Sequence, residues 1–242
     1  MPASIKMYKI VEFPNQLPVE SAQVSPGIGN VTFITRVTSL GRSEYPDKNL
    51  EKWQIRHDIG EEFRGKGYIE DGSQYDIVAV STSEIFPCFV EEREFLYTSG
   101  TKRTVSEQAL RRLRRYPNSD NKLIAQPVRI DLIGLKDRIK NNEDAIIRGG
   151  WFRGMQIENV EVAYLGGGSV VESDDWDRYE NSGGTISALR LDFPTIDVEE
   201  ESIKILITRD GNCVVYRSNI TELHLLQITM PLFDLARGFL EA

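Results

Sequence analysis

Histidine and cysteine are scarce in this chain, with two of each in 242 residues, and that scarcity narrows the chemistry available to it. Cys88 and Cys213 cannot make a disulfide framework, and each lies in an apolar run (IFPCFV, NCVVY) where a thiol packs as a small hydrophobe. A reducing compartment is therefore expected. Neither cysteine has a cationic sequence neighbour that would lower its pKa, so neither reads as a nucleophile. His57, in IRHDIG, reads as a partly exposed loop residue that Asp58 could orient, and His224, in LHLL, as half-buried. G-x-S-x-G is missing, so Ser–His–Asp catalysis has no anchor. No apolar run reaches the roughly 20 residues of a membrane helix, and the start, MPASIKMYKIVEF, has no signal-peptide core. The expectation is a cytoplasmic protein with no membrane partner. Glycine-rich stretches at 25–30, 63–72 and 163–171 lack the P-loop lysine pattern and the dinucleotide spacing. They read as turns or loops, the last joining two strands, with Lys66 the one residue placed to reach an anion. Internal repeats of solenoid length are also missing.

What is present is an ordinary globular composition, 40% hydrophobic and 27% charged, with charge distributed unevenly. The net charge is −8, which argues against a general nucleic-acid coat, because such coats work by neutralising phosphates. Yet residues 101–153 hold thirteen Lys or Arg against six acids, and residues 172–201 hold ten acids against two arginines. The plainest account is that both segments solvate the fold or neutralise one another.

The sharpest local signal is TVSEQALRRLRRYP, residues 104–117. Thr104 and Glu107 have the spacing of a capping box, and Pro117 ends the segment because the residue before proline avoids the α region. At 100° per residue, Val105, Ala109, Leu110, Leu113 and Tyr116 share one face. Arg111 and Arg115 fall opposite it, with Arg112 and Arg114 on its flanks, so the arginines are expected to point outward. With Lys102 and Arg103 just before them, they would line a phosphate backbone or meet carboxylates of an acidic protein surface. They would otherwise be solvated cations favoured near a helix C-terminus.

Strands are expected at 7–13, 30–37, 75–81 and 93–98, rich in β-branched and aromatic residues. Residues 46–64 are polar and of mixed charge, and suit a short helix or an irregular connection. The turn-rich 116–122 marks a boundary. Beyond it the chain opens either with an apolar alternation at 127–133 or directly with a helix, which is expected through Leu135 and Ile139 to about 147, closed by Gly149 and Gly150 as a C-terminal cap. Strands follow at 157–165 and 185–193. SIKILITR and NCVVYRS make a hairpin through Asp210–Gly211, a pair suited to a type I′ turn. A final helix begins near Asn219 and Glu222 or only after Pro231. The fold class these elements imply is α+β, in two lobes (1–120 and 121–242), each an antiparallel or mixed sheet with helices packed on one side.

Two further groups bear on function. Trp151 lies between Arg148 and Arg153, where an aromatic could stack a base of single-stranded nucleic acid, although core packing would also account for it. Asp174, Asp175 and Asp177 surround Trp176 in the acidic 172–180 stretch and are the weak candidates for a metal, without the residue order of a calcium loop. A nuclease arrangement of Asp and Glu-x-Lys is not found, the nearest cluster (199–204) putting Glu201 and Lys204 on opposite faces of a strand. No cofactor is implied. The chain reads as a non-enzymatic accessory subunit of an intracellular assembly, engaging nucleic acid or an acidic protein through the basic helix. A metal-assisted hydrolase acting on nucleic acid or nucleotide, and a salt-sensitive self-assembling oligomer, are the alternatives.

Overall fold

The computed structural model describes residues 2–25, 31–142, 145–194 and 202–241. Its strands are β1 (Ala3–Glu12), β2 (Val19–Ser25), β3 (Val31–Arg42), β4 (Leu50–Tyr68), β5 (Gln74–Glu91), β6 (Phe95–Ser99), β7 (Ile124–Pro127), β8 (Ile146–Ile157), β9 (Val160–Gly166), β10 (Thr185–Pro194), β11 (Ser202–Thr208) and β12 (Asn212–Val215). The helices are α1 (Arg103–Arg115), α2 (Leu132–Asn142), α3 (Asp174–Asn181) and α4 (Glu222–Arg237). Pairing follows the order β2-β3-β4-β5-β6-β1-β12-β11-β10-β8-β9, with β7 beside β1. The α+β expectation is thereby corrected: the protein is mostly antiparallel β, 50% strand and 24% helix, built on one 12-stranded pairing order.

The correction has a local cause. Residues 46–64, whose mixed polarity suggested a helix or a connection, belong largely to β4, which pairs with β3 on one side and β5 on the other. Trp53, Ile55 and His57 are buried while Gln54 and Arg56 are not, the period-two alternation of a strand with one covered face. Gly149 and Gly150 lie inside β8 and cap nothing. A Cβ on Gly150 would stand 2.5 Å from the Trp176 ring and one on Gly149 2.8 Å from the Tyr164 hydroxyl, so close approach selects these glycines. The expected strand at 157–165 is split by a turn in which Asn159 takes φ 62°, giving β8 and β9.

By its internal contacts the chain divides into two compact units, Lys9–Gln126 and Met1–Tyr8 with Pro127–Ala242. In the first, Phe33, Val37, Trp53, Ile55, Phe86, Cys88 and Leu96 are buried, as are Val105, Ala109, Leu110 and Leu113 of α1. The N-cap of that helix lies two residues earlier than the capping box suggests, so Thr104 falls inside the first turn and the box does not form. Lys102 is the N-cap without a side-chain bond, and Glu107 instead accepts from Arg103 Nε at 2.9 Å. Tyr116 leaves the helical conformation and is exposed, away from the apolar face expected for it.

In the second unit, Ile5, Phe152, Trp176, Leu189, Leu191, Ile205, Ile207, Val215, Leu226 and Phe233 are buried. The hairpin of β11 and β12 is present, with Ile207 opposite Cys213. Its turn is a three-residue loop and not type I′, because Gly211 takes φ 75° while Asp210 keeps an ordinary φ, and Gly211 N–H donates to the Thr208 carbonyl at 3.0 Å. The 163–171 glycines lead into a 3-10 turn (Val170–Glu172) and α3, where a second strand was expected. A single helix, α4, runs from the Thr221 N-cap through Pro231. No helix among the described residues is long and apolar enough to cross a membrane. The expected turn at 25–30 and the acids at 199–201 lie outside the described residues, save for the backbone of Ser25 at the end of β2.

Candidate functional site

The arginines of α1 part company according to which side of the helix they occupy. Arg112 turns inward over the sheet of the first unit. One guanidinium nitrogen donates to the Asp58 carbonyl at 2.7 Å, to Thr35 Oγ1 at 3.2 Å and to the Ile34 carbonyl at 3.4 Å. Its guanidinium carbon lies 5.8 Å from the centre of the Phe33 ring, within cation–π range. The outward expectation therefore fails for this residue, because β3 and β4 present several acceptors beneath the helix that only a long cationic donor can reach.

The same nitrogen stands 3.2 Å from His57 Nδ1, which also meets Thr35 Oγ1 at 2.7 Å. Arginine can only donate, and the Thr35 hydroxyl can donate or accept, so a neutral imidazole suits both neighbours. His57 is 1% exposed, not the loop residue that the sequence suggests. Burial and then the Arg112 charge push its pKa from 6.5 down to about 4, with Asp58 opposing. Asp58 does not orient the ring. Its carboxylate accepts from Ile34 N–H at 3.0 Å and Ser83 Oγ at 2.6 Å. Against the upward push of its partial burial, those bonds and the charges of Arg56 and Arg112 hold the carboxyl below its usual range. The cluster is a locked structural network with no vacant nucleophile. Both cysteines are buried, which raises their pKa values.

On the opposite side of α1, Lys102, Arg111, Arg114 and Arg115 are exposed and have no ion-pair or hydrogen-bond partner among the described residues. Arg103 is also exposed and pairs with Glu107. The first turn contains no acid, although its helix N-terminus would favour one.

The second unit holds the remaining candidates. Arg148 Nε donates to Asp192 Oδ2 at 2.6 Å and is thereby tied to β10. Trp151 is half-buried on β8, directly across from Tyr164 of β9, with ring centroids 4.3 Å apart and an interplanar angle of 41°. Arg153 is exposed. Tyr164 and Arg190, whose guanidinium donates to the Tyr164 hydroxyl at 3.2 Å, are neighbours that sequence spacing could not bring to light. Only the β8–β9 and β8–β10 registers bring these positions together.

Asp174, Asp175 and Asp177 are exposed in the first turn of α3, where negative charge offsets the helix dipole. Ser173 caps that helix by accepting from Trp176 N–H, and the Trp176 indole donates to Glu180, which also receives Lys136 at 2.8 Å. Among the described residues no three His, Cys, Asp or Glu side chains gather where an ion could be held. The acids of this first turn also make the end of the glycine-rich segment inhospitable to phosphate. In the first unit a cavity of about 560 Å³ is lined by Asp47, Lys48, Asn49, Glu51, Val90, Glu91, Glu92 and Arg93. Its buried Glu91 is already bonded by Lys48 at 2.7 Å and by the Tyr97 hydroxyl at 2.9 Å. Compared with protein-family models and with curated proteins, the chain matches none of either.

Proposed function

We propose that this protein is a non-enzymatic binding subunit that engages an anionic partner through the exposed side of α1. The observation that carries this is that Lys102, Arg111, Arg114 and Arg115 have no partner among the described residues of a chain with 37 acids and only 29 Lys and Arg. Acids in such excess could neutralise these cations within the molecule, yet the fold leaves all four in solvent. The helix dipole accounts for cations in the last turn but works against Lys102 and Arg103 at the first, so dipole compensation explains only half of the patch. Nucleic acid and an acidic protein surface are the two partners of suitable chemistry, since both offer oxyanions to guanidinium groups.

Equilibrium binding to single-stranded and double-stranded nucleic acid across a salt series tests this proposal. The comparison is between the unchanged protein and a variant with Lys102, Arg111, Arg114 and Arg115 all replaced by alanine. Arg112 is kept, because its loss would disturb the first unit. Each phosphate contact removed lowers the log–log salt slope by about 0.7 to 0.9, so the variant, with four cations fewer, should lose up to about 2.8 on single strands and about 3.6 on duplex. An unchanged slope would overturn the assignment of the patch to phosphate. Absence of binding at low salt would leave an acidic protein as the partner, to be sought by co-purification that the same variant abolishes.

A further inference from the structure

In the second unit, β8, β9 and β10 have faces of opposite character. Gly150, Phe152, Leu189 and Leu191 are buried, and Phe152 packs edge-on against Trp176 at 4.8 Å. The alternate residues, Trp151, Tyr164 and Arg190, lie on the other side, where Tyr164 is 43% exposed and Val162 beside it is exposed as well. The Tyr164 ring is set down on two glycines. A Cβ on Gly166 would stand 2.4 to 2.9 Å from three of its atoms, and one on Gly149 2.8 Å from its hydroxyl. With no side chains on these glycines the ring lies close along the backbone of the sheet. Arg190 donates to its hydroxyl from β10, and the half-buried Trp151 ring lies against it with centroids 4.3 Å apart, so that the two rings form one partly exposed aromatic pair.

We propose that this surface is a stacking platform for the unpaired bases of single-stranded nucleic acid. A partly exposed pair of rings held on paired strands takes up a nucleobase at little entropic cost, and any base offers a π-face to it. Charge selects the same ligand. Arg148 and Asp192 neutralise one another, which leaves Arg153, Arg190 and Lys204 of these strands and β11 without an acidic partner among the described residues. Arg153 follows Trp151 by two residues on β8, about 6.6 Å along the same face, and Arg190 is bonded to Tyr164, so a cation stands beside each ring. A duplex, whose bases are already stacked, has no use for such a platform. The site goes beyond the α1 patch and does not rest on it, because its residues belong to the other unit.

Tryptophan emission reads this site directly: Trp53 and Trp176 are each 1% exposed and Trp151 is the half-buried member of the three. The probes are an oligo(dA) of about 15 nucleotides, its duplex with oligo(dT), and an abasic strand of equal length that keeps the phosphates and loses the bases. The oligo(dA) should quench emission and bind about tenfold more tightly than the abasic strand or the duplex. Trp151→Phe should remove the quench. Gly166→Ala, which lifts the ring, and Tyr164→Ala should each weaken binding about tenfold, with Tyr164→Phe weakening it less. Far-UV circular dichroism of each variant separates lost binding from lost fold, and Tyr164→Phe provides a mild change if Gly166→Ala misfolds. Equal competition by the abasic strand, or undiminished binding by Tyr164→Ala, would overturn the platform. The α1 variant described above should keep the quench, so failure of one surface is seen apart from failure of the other.

Discussion

Acidification should destabilise this protein well above the range in which carboxylates titrate, because of one residue. His57 is neutral in the folded state, held there by burial and by the adjacent Arg112, and its pKa is about 4 against 6.5. The unfolded chain takes up a proton below about pH 6.5 that the folded chain refuses until about pH 4. A depressed pKa on a base means that stability rises with pH where only the unfolded state is protonated. Stability is therefore complete above about pH 6.5 and is lost as pH falls toward 4. The difference of about 2.5 units at about 1.36 kcal/mol per unit bounds the loss at about 3 kcal/mol. Asp58, whose pKa is lowered, adds its own loss only below the usual carboxylate range. The chain has two histidines, so NMR titration of the imidazole carbons resolves both, and urea unfolding at pH 7, 6 and 5 gives the stability. His57→Gln should flatten the profile between pH 6.5 and 5. A His57 resonance titrating near 6.5 in the folded protein, or an acid sensitivity unchanged in His57→Gln, would refute the network described here.

Neighbouring arginines of α1 should behave oppositely. Arg112→Ala removes a charged donor that satisfies carbonyls of β3 and β4, and should cost about 2 to 3 kcal/mol, whereas Arg111→Ala should stay within about 0.5 kcal/mol by denaturant midpoint. Gly150→Ala places a methyl 2.5 Å from the Trp176 ring and should destabilise by about 1 to 3 kcal/mol, read as a lower melting temperature with red-shifted tryptophan emission. Lys136→Met leaves Glu180 with the indole N–H as its remaining donor at that site and should also destabilise, measurably by urea unfolding at neutral pH. Burial opposes the charge on Lys136, but the bonds and charges of Glu180 and Asp137 outweigh it and raise the pKa. The contribution of the Lys136 charge should consequently be present at neutral pH and fade as pH rises past the ordinary lysine range.

The sequence by itself determined the elements whose cause is local. The apolar stripe Val105, Ala109, Leu110 and Leu113 makes α1 a helix wherever it packs, and Asp210–Gly211 bends the chain into a hairpin through a glycine that accepts positive φ. The burial of both cysteines follows from the apolar runs around them. The exposure of Arg111, Arg114 and Arg115 follows from the same helical angle that buries the leucines.

Tertiary structure decided the rest. Nothing in RRLRR tells Arg112 from Arg111 until β3 and β4 bring the carbonyls of Ile34 and Asp58 beneath one of them. Residues 50–64 became part of a strand because neighbours on both sides offered backbone partners, which a mixed-polarity segment cannot signal alone. Gly149 and Gly150 resemble a helix cap in sequence, and only the rings of Tyr164 and Trp176, delivered from β9 and α3, reveal why a side chain is forbidden there. A flat tyrosine on a glycine floor is likewise a property of strand register. It comes into being when β8, β9 and β10 pair, from residues whose positions in the chain carry no mark of one another.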